Sequence, residues 1–256
     1  MRIATWNVNS LRARLDKVEG WLAARQPDVL LMQETKLTDL AAPLLPFRAA
    51  GYALAHHGEG RWNGVAIASR VGLEDVQAGL GGPPGWGDEA RFLTAQCGGI
   101  RVISVYAPNG RALGTETYAA KLEWYGRLRA WLEANADPAE ALVLGGDLNV
   151  APADADVYDP AAYVDTTHTS GPERAAFAAL LAWGLVDAYR LRHPEGGRFT
   201  WWDYRAGNFH KGLGMRIDHL LVSRPVAERL TGAEIDRDAR KGPTPSDHAP
   251  LWIDLA

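Results

Sequence analysis

The chain has almost no cysteine, no long apolar run and no excess of positive charge. Each absence removes a class of protein. Cys97 is the only cysteine in 256 residues, so no internal disulfide is available and a disulfide-stapled secreted scaffold is excluded. No stretch approaches the roughly 18 apolar residues of a membrane-spanning helix, and Met1 to Asn7 hold no apolar leader. A cytosolic protein is expected. Lys and Arg number 27 against 31 Asp and Glu, a formal net charge of −4. That counts mildly against a nucleic-acid partner, because backbone phosphates are met by Lys and Arg. It does not decide the matter, since one basic face is enough and a metal site adds carboxylates.

What is present is an ordinary globular composition, 47% hydrophobic and 23% charged, with ten tryptophans to fill a core. No repeat, heptad, low-complexity tract or interdomain linker interrupts it. One domain over residues 1–256 is the simplest expectation.

Residues 2–7 read as a short strand. Ser10 then caps a helix, with Leu11, Leu15, Val18 and Leu22 at helical spacing as far as Pro27. Apolar runs predict strands over 28–33, 64–69, 91–96, 100–106 and 141–145, with a turn at Gly145-Gly146. A second helix is predicted over 116–135, with Leu122, Tyr125, Leu128, Trp131 and Leu132 inward. Residues 151–172 read as loop, and Thr169 or Ser170 with Pro172 opens a helix over 173–183. Late strands are predicted over 199–202, 216–222 and 249–255. The run Gly79–Gly87 reads as a surface loop, and His56-His57 as part of a solvated loop after Gly51-Tyr52. Strands outnumber helices without regular alternation, which favours an α/β arrangement of mixed sheet covered by a few helices.

Acidic and amide residues cluster where predicted strands end. Asn7 closes the first and Glu34 the second; Asp147 and Asn149 follow the strand at 141–145, and Asp247-His248 precede the last. One such residue is usually a turn former. Several together suggest polar groups held at the tips of a rigid sheet, open to a substrate. Their donors are hard oxygens, with no zinc-type Cys/His spacing, which suits Mg²⁺ with Mn²⁺ as substitute.

Seven motifs appear in order: Trp-Asn-Val-Asn-Ser-Leu-Arg (6–12), Gln-Glu-Thr-Lys (33–36), Tyr-Ala-Pro-Asn-Gly (106–110), Gly-Asp-Leu-Asn (146–149), Trp-Trp-Asp-Tyr-Arg (201–205), Arg-Ile-Asp (216–218) and Ser-Asp-His (246–248). Together they resemble the exonuclease III family of abasic-site endonucleases, within the endonuclease/exonuclease/phosphatase superfamily. The resemblance covers essentially the whole chain. It implies a four-layer α/β/β/α sandwich of two packed mixed sheets flanked by helices. It also implies Mg²⁺-dependent hydrolysis of the phosphodiester 5′ to an abasic site in duplex DNA, with 3′-5′ exonuclease and 3′-phosphatase activity at blocked 3′ ends; a monomer with neither membrane nor obligate protein partner is the default expectation.

Combined with the chemistry of phosphodiester hydrolysis, the resemblance assigns roles. Glu34 is the main carboxylate on the metal, with Asn7 beside it and Asp247 as ligand or proton donor. Asp147 activates water, Asn149 donates to the phosphate or the water, His248 contacts the scissile phosphate with Asp218 orienting its ring, and Tyr106 hydrogen-bonds the phosphate. Trp201, Met215 and Ile217 line the pocket for the abasic nucleotide, and Trp202 fills the core. Arg111 and Arg205 reach the duplex grooves, while Lys36, Lys211, Arg240 and Lys241 are candidates for the backbone. Asn9, and the choice between one metal and two, stay open. The competing readings are a superfamily phosphoesterase acting on a non-DNA substrate, and a catalytically dead DNA-binding protein.

Overall fold

Most strands of this chain carry two apolar faces rather than one. Along residues 2–7, Ile3, Thr5 and Asn7 alternate with Ala4 and Trp6, and all five are buried. A strand covered on both faces belongs inside a layered structure, with a second sheet on one side and helices on the other.

The computed structural model, which describes residues 1–81 and 89–256, has that arrangement. In chain order the first elements are β1 (Arg2–Asn7), α1 (Leu11–Arg25), β2 (Val29–Gln33), α2 (Leu44–Ala49), β3 (Ala53–His57), β4 (Val65–Ser69) and β5 (Glu74–Ala78). They are followed by β6 (Phe92–Cys97), β7 (Ile100–Tyr106), α3 (Glu116–Asn135), β8 (Leu142–Asp147), α4 (Gly171–Gly184), β9 (Leu185–Asp187) and α5 (Ala188–Arg192). The last are α6 (Asn208–Lys211), β10 (Asp218–Ser223), α7 (Arg224–Ala227), β11 (Leu230–Ile235) and β12 (Leu251–Leu255). One six-stranded sheet has the order β11-β12-β1-β2-β4-β3 and the other β5-β6-β7-β8-β10-β9. Both are mixed: β1/β2 and β7/β8 are parallel pairs and their other neighbours antiparallel.

Three apolar clusters define the layers. Ile3, Leu31, Ile67, Val102, Val143, Leu220 and Ile253 meet between the sheets. Ala4, Trp6, Leu30 and Met32 on the outer face of the first sheet receive Leu11, Val18, Trp21 and Leu22 of α1. Ile103, Val105, Leu142, Leu144 and Leu221 on the outer face of the second receive Tyr125, Leu128 and Leu132 of α3 and Phe177 and Leu180 of α4. Each fully buried aliphatic or aromatic side chain contributes about 1.5–3 kcal/mol, so these three interfaces dominate the stability. The expected four-layer sandwich is the fold observed.

Helix ends follow the sequence closely. Ser10 caps α1 at Ala13 N, and Ser170 with Glu173 forms a reciprocal capping box on α4. Four expectations are corrected. Gly145 and Gly146 do not turn the chain; they lie within β8, which runs on to Asp147. A Cβ on Gly145 would meet Leu31 of the opposing sheet and Leu220 of the neighbouring strand β10, and one on Gly146 would lie 1.9 Å from Val105 O of β7, so both glycines serve close approach. Residues 199–202 make only isolated pairings with Met215, His248 and Ala249, not a strand. His56 and His57 lie in edge strand β3, the His56 side chain 3% exposed between Thr35 and Asp39. Leu15 and Leu122 are half-buried rather than core. β5, polar and exposed throughout, and the short β9 and β11 gave no apolar signal. Of the expected loop at Gly79–Gly87, residues 82–87 lie outside the described residues.

Candidate active site

Strand parity decides what reaches one rim of the sandwich. On the inward face, Ile3, Thr5 and Asn7 follow one another along β1, Ser104 and Tyr106 along β7, and Gly145 and Asp147 along β8. β1 and β2 run parallel, as do β7 and β8, so their carboxyl ends share an edge. β10 is antiparallel to β8 and brings its first residue there, with Asp218 opposite Asp147. β12 is antiparallel to β1, so Ser246-Asp247-His248 arrive beside Asn7. Behind the rim, Gln33 donates to Ser104 Oγ at 3.2 Å and crosses the gap between the sheets.

The polar groups at that rim form one network. Asn7 Nδ2 donates to Glu34 Oε1 at 2.8 Å and to Asp147 Oδ2 at 2.9 Å, a strut between two carboxylates. Its oxygen accepts the Asn9 N–H. Asp147 Oδ1 accepts the Asn149 N–H at 2.9 Å, and Asn149 Nδ2 donates to Ala107 O at 2.8 Å. His248 Nδ1 lies 2.8 Å from Asp218 Oδ2, and its Nε2 lies 3.7 Å from Asp147 Oδ2. Asp218 does not pair with Arg216, whose guanidinium is held by Asp156 and Asp187. Asn9, Glu34, Lys36 and Asn149 all have left-handed backbones, with φ of 43°, 51°, 54° and 50°. Such conformations cost about 1 kcal/mol or more each and gather at sites where surrounding contacts over-determine the backbone.

Burial and charge set the protonation states. Burial raises the Asp147 carboxyl, and Asp218 and Glu34 add to it, while His248 pulls the other way. Burial alone would lower the His248 imidazole, but Asp218 and then Asp147 more than reverse it, so the ring is held protonated. Burial, followed by Glu34 and Asp147, pushes the Tyr106 phenol well up, which keeps it a hydrogen-bond donor.

The remaining predicted residues fall into place unevenly. Trp201 packs with Met215, Ile217, Ala151 and Val157 in a small apolar cluster, and its indole donates to Asp247 Oδ2 at 3.1 Å. Met215 and Ile217 expose only 1% and 3%, so Trp201 is the open part of that wall. Trp202 is buried in a separate cluster with Phe199, Phe209 and Ala249, the core role expected of it. Asp247 also accepts Asn9 Nδ2 at 2.8 Å. Lys36 Nζ sits 2.8 Å from Glu34 Oε2 and 2.6 Å from Asn9 Oδ1. Arg111 lines a cleft of about 670 Å³ that opens beside Glu34 and Tyr106. Arg205 is exposed and paired with Asp203. Lys211 and Lys241 stand near the surface. Arg240 is not a backbone contact: it is buried, donating to Ser246 O and Trp202 O.

Several residues escaped sequence reasoning. Asn109, inside a quoted motif, donates to Asn149 Oδ1 at 3.3 Å. Thr200 Oγ1 accepts the N–H groups of both Ile217 and Asp218, fixing the start of β10. His168 lies 2.6 Å from Asn149 O through Nδ1. Only the Asn109 position carried a signal, its place in the Tyr-Ala-Pro-Asn-Gly motif.

Glu34, Asp147 and His248 each offer a ligand atom, all within 4.8 Å of one another. With His248 protonated and held by Asp218, the effective donors are carboxylate oxygens, a set that fits a hard divalent cation rather than zinc. Glu34, Asp147, Asp218 and Asp247 stand against two cations, His248 and Lys36, so the rim has negative charge to spare for such an ion.

A family model described as the endonuclease/exonuclease/phosphatase family matches residues 4–248. The exodeoxyribonuclease III of Haemophilus influenzae is 33% identical, with 100% of both chains covered. An AP endonuclease from Archaeoglobus fulgidus is 39% identical, with a TM-score of 0.97 over 100% of this chain and 99% of that one. The 3′ phosphatase NExo from Neisseria, solved bound to a product DNA hairpin, is 40% identical with a TM-score of 0.94, over 100% of this chain and 99% of its own.

Proposed function

The chain belongs to the endonuclease/exonuclease/phosphatase family, and from that premise we propose that it is a DNA-repair nuclease that cleaves 5′ to abasic nucleotides and clears blocked 3′ ends. The observation that carries this reading is the convergence of Glu34, Asp147 and His248 within 4.8 Å at one rim, with Asp218 behind the imidazole. The relatives give the substrate class, since an exodeoxyribonuclease, an AP endonuclease and a DNA-bound 3′ phosphatase are all close in sequence or structure.

A phosphodiester resists water because its anionic oxygens repel the nucleophile and the leaving alkoxide is poor. Glu34, with Asn7 beside it, would hold Mg²⁺ or Mn²⁺, which supplies charge neutralisation at the phosphate and the leaving oxygen. Asp147, tied on one oxygen to the Asn149 N–H, takes the proton of the attacking water through the other. His248, kept charged and oriented by Asp218, donates through Nε2 to a phosphate oxygen. Tyr106 donates its phenolic O–H to the same phosphate. Asn149 has one amide N–H committed to Ala107 O and turns the other to the substrate. Trp201 provides the wall against which an abasic sugar rests, as flipping costs least where no base pair is lost.

One observation favours a narrower second reading, action at 3′ ends alone: the apolar cluster beside Trp201 is closed by Met215 and Ile217. Two substrates separate the readings, a duplex with one internal abasic-site analogue and a nicked duplex ending in a 3′ phosphate, each with Mg²⁺ or with EDTA. A nick immediately 5′ of the lesion, in Mg²⁺ only, is the expected result. Phosphate release with the abasic strand intact selects the narrower reading. Cleavage that survives EDTA removes the metal, and no turnover of either substrate removes the nuclease.

A further inference from the structure

Lys121 is fully buried on α3, and so is Glu173 on α4, an unusual placement for two charged side chains. The three N–H groups of the ammonium are all taken. One goes to Glu173 Oε1, one to Asn149 O at 2.7 Å and one to Asn109 O at 3.3 Å. Asn109 and Asn149 stand in the segments after β7 and β8, and Asn109 Nδ2 donates to Asn149 Oδ1. A single cation therefore grips the main chain of both asparagines from behind.

The other end of the pair is equally committed. Glu173 Oε1 also accepts Thr167 Oγ1 at 2.8 Å and the His168 N–H at 3.0 Å, and Oε2 accepts the N–H and hydroxyl of Ser170. His168, itself left-handed with φ 76°, brings Nδ1 to Asn149 O beside the ammonium. Gly110 makes room for the arrangement, since a Cβ there would come within 2.9 Å of Lys121 Cδ. Asn149 holds a φ of 50° that an ordinary L-residue disfavours, and its carbonyl is oriented by two donors that do not face the cleft. Hydrophobic side chains would fill this space at lower desolvation cost, so stability alone does not account for the charges.

We infer that Lys121, anchored by Glu173, is a positioning residue that fixes Asn149, directly and through Asn109, in the conformation that engages the scissile phosphate. The inference rests on the nuclease reading above. Lys121 touches no reacting atom. It acts through the two asparagines, so its loss lowers the rate of the bound complex rather than DNA affinity.

Lys121→Met tests this, and because it strands a buried carboxylate it is paired with Lys121→Met/Glu173→Gln, which removes both charges. Expected in the double variant is a kcat on Mg²⁺ and nicked or abasic duplex lower by about 10²-fold, the cost of displacing a catalytic group by about an ångström, with KM within about threefold of the parent. Amide exchange in segments 107–111 and 148–151 should rise by a similar factor while that of β1 and β2 stays unchanged. That second readout needs no substrate, so a parent without nuclease activity would sink the functional reading and still leave the anchor tested. A folded double variant with parental kcat, a rise in KM alone, or unchanged exchange in both segments would overturn the inference.

Discussion

Asp218 Oδ2 lies 2.8 Å from His248 Nδ1, while its other oxygen, Oδ1, is buried without a hydrogen-bond partner among the described residues. A buried carboxylate with an unpaired oxygen is costly, on the order of 1–3 kcal/mol. Its charge is the largest of those that oppose the burial of the imidazole, ahead of Asp147 and Asp247, and keep His248 charged in a dry setting. Asp218→Asn should leave the fold intact and lower kcat by about 10²–10⁴-fold, the range seen when the partner that orients a functional imidazole is removed. Steady-state kinetics on the abasic duplex check it, and a rate within about twofold of the parent would remove Asp218 from the machinery.

Glu34 is braced from two sides, by Asn7 Nδ2 and by Lys36 Nζ. Glu34→Gln keeps the shape and loses the charge that a divalent cation needs. The Mg²⁺ concentration for half-maximal activity should rise by about 10–100-fold, with activity partly restored at high metal. Metal titration of both proteins decides this, and an unchanged midpoint would place the ion elsewhere.

Trp201 offers its exposed face beside the catalytic rim and donates its indole N–H to Asp247. Trp201→Ala should raise KM for the abasic duplex by about 10-fold, since the apolar surface an aromatic side chain buries against the sugar contributes about 1.5–3 kcal/mol. The effect on a 3′-phosphate substrate should be smaller. Equal losses on both substrates would show that Trp201 only supports Asp247.

Arg216 is sealed between Asp156 and Asp187, both buried. Arg216→Met removes the guanidinium from Asp187 and leaves Asp156 with Arg190 alone, and should cost about 3–5 kcal/mol, measured by urea unfolding at neutral pH. The pair also sets an acid limit. Burial alone would raise the Asp187 carboxyl, but Arg216 and His219 more than reverse this and hold it well below the usual carboxylate range. A carboxyl depressed in the folded state contributes stability above its unfolded pKa of about 3.9 and loses it as pH falls. Asp187→Asn should thus be less stable than the parent at pH 7, with the difference shrinking below about pH 4. A difference constant down to pH 2 would contradict the assignment.

Arg111 and Lys36 line the 670 Å³ cleft, and Arg205 is exposed nearby in sequence to Trp201. If these three cations meet the DNA backbone, affinity for duplex should fall by roughly 40-fold between about 50 and 200 mM salt. Fluorescence anisotropy over that range measures the slope, and a flat response would rule these side chains out as phosphate contacts.

Much of this was legible in the chain because it is local. Helical spacing located α1 and α3, Thr169 or Ser170 with Pro172 located α4, and apolar runs located β1, β2, β4, β6 and β7. The errors came where neighbours in space overruled local preference. Gly145-Gly146 looks like a turn by residue type, yet Leu31 of the opposing sheet and the Val105 backbone of the neighbouring strand leave no room for side chains at these two positions inside β8. β3 and β5 take their strand conformation from pairing with β4 and β6, and their own residues are polar or half-buried.

The sequence by itself determined which oxygen-bearing side chains end the strands and that their type suits a hard cation. Only the tertiary structure decided how they combine. It gave Asp218 to His248 rather than to Arg216, turned Asn7 into a strut between two carboxylates, withdrew Arg240 into the core, and placed the Lys121–Glu173 pair behind Asn149. The physical reason is range. Strand period and capping act over a few residues, whereas hydrogen bonds at this rim join residues 238 and 239 positions apart, and sheet order and register alone set which of them meet.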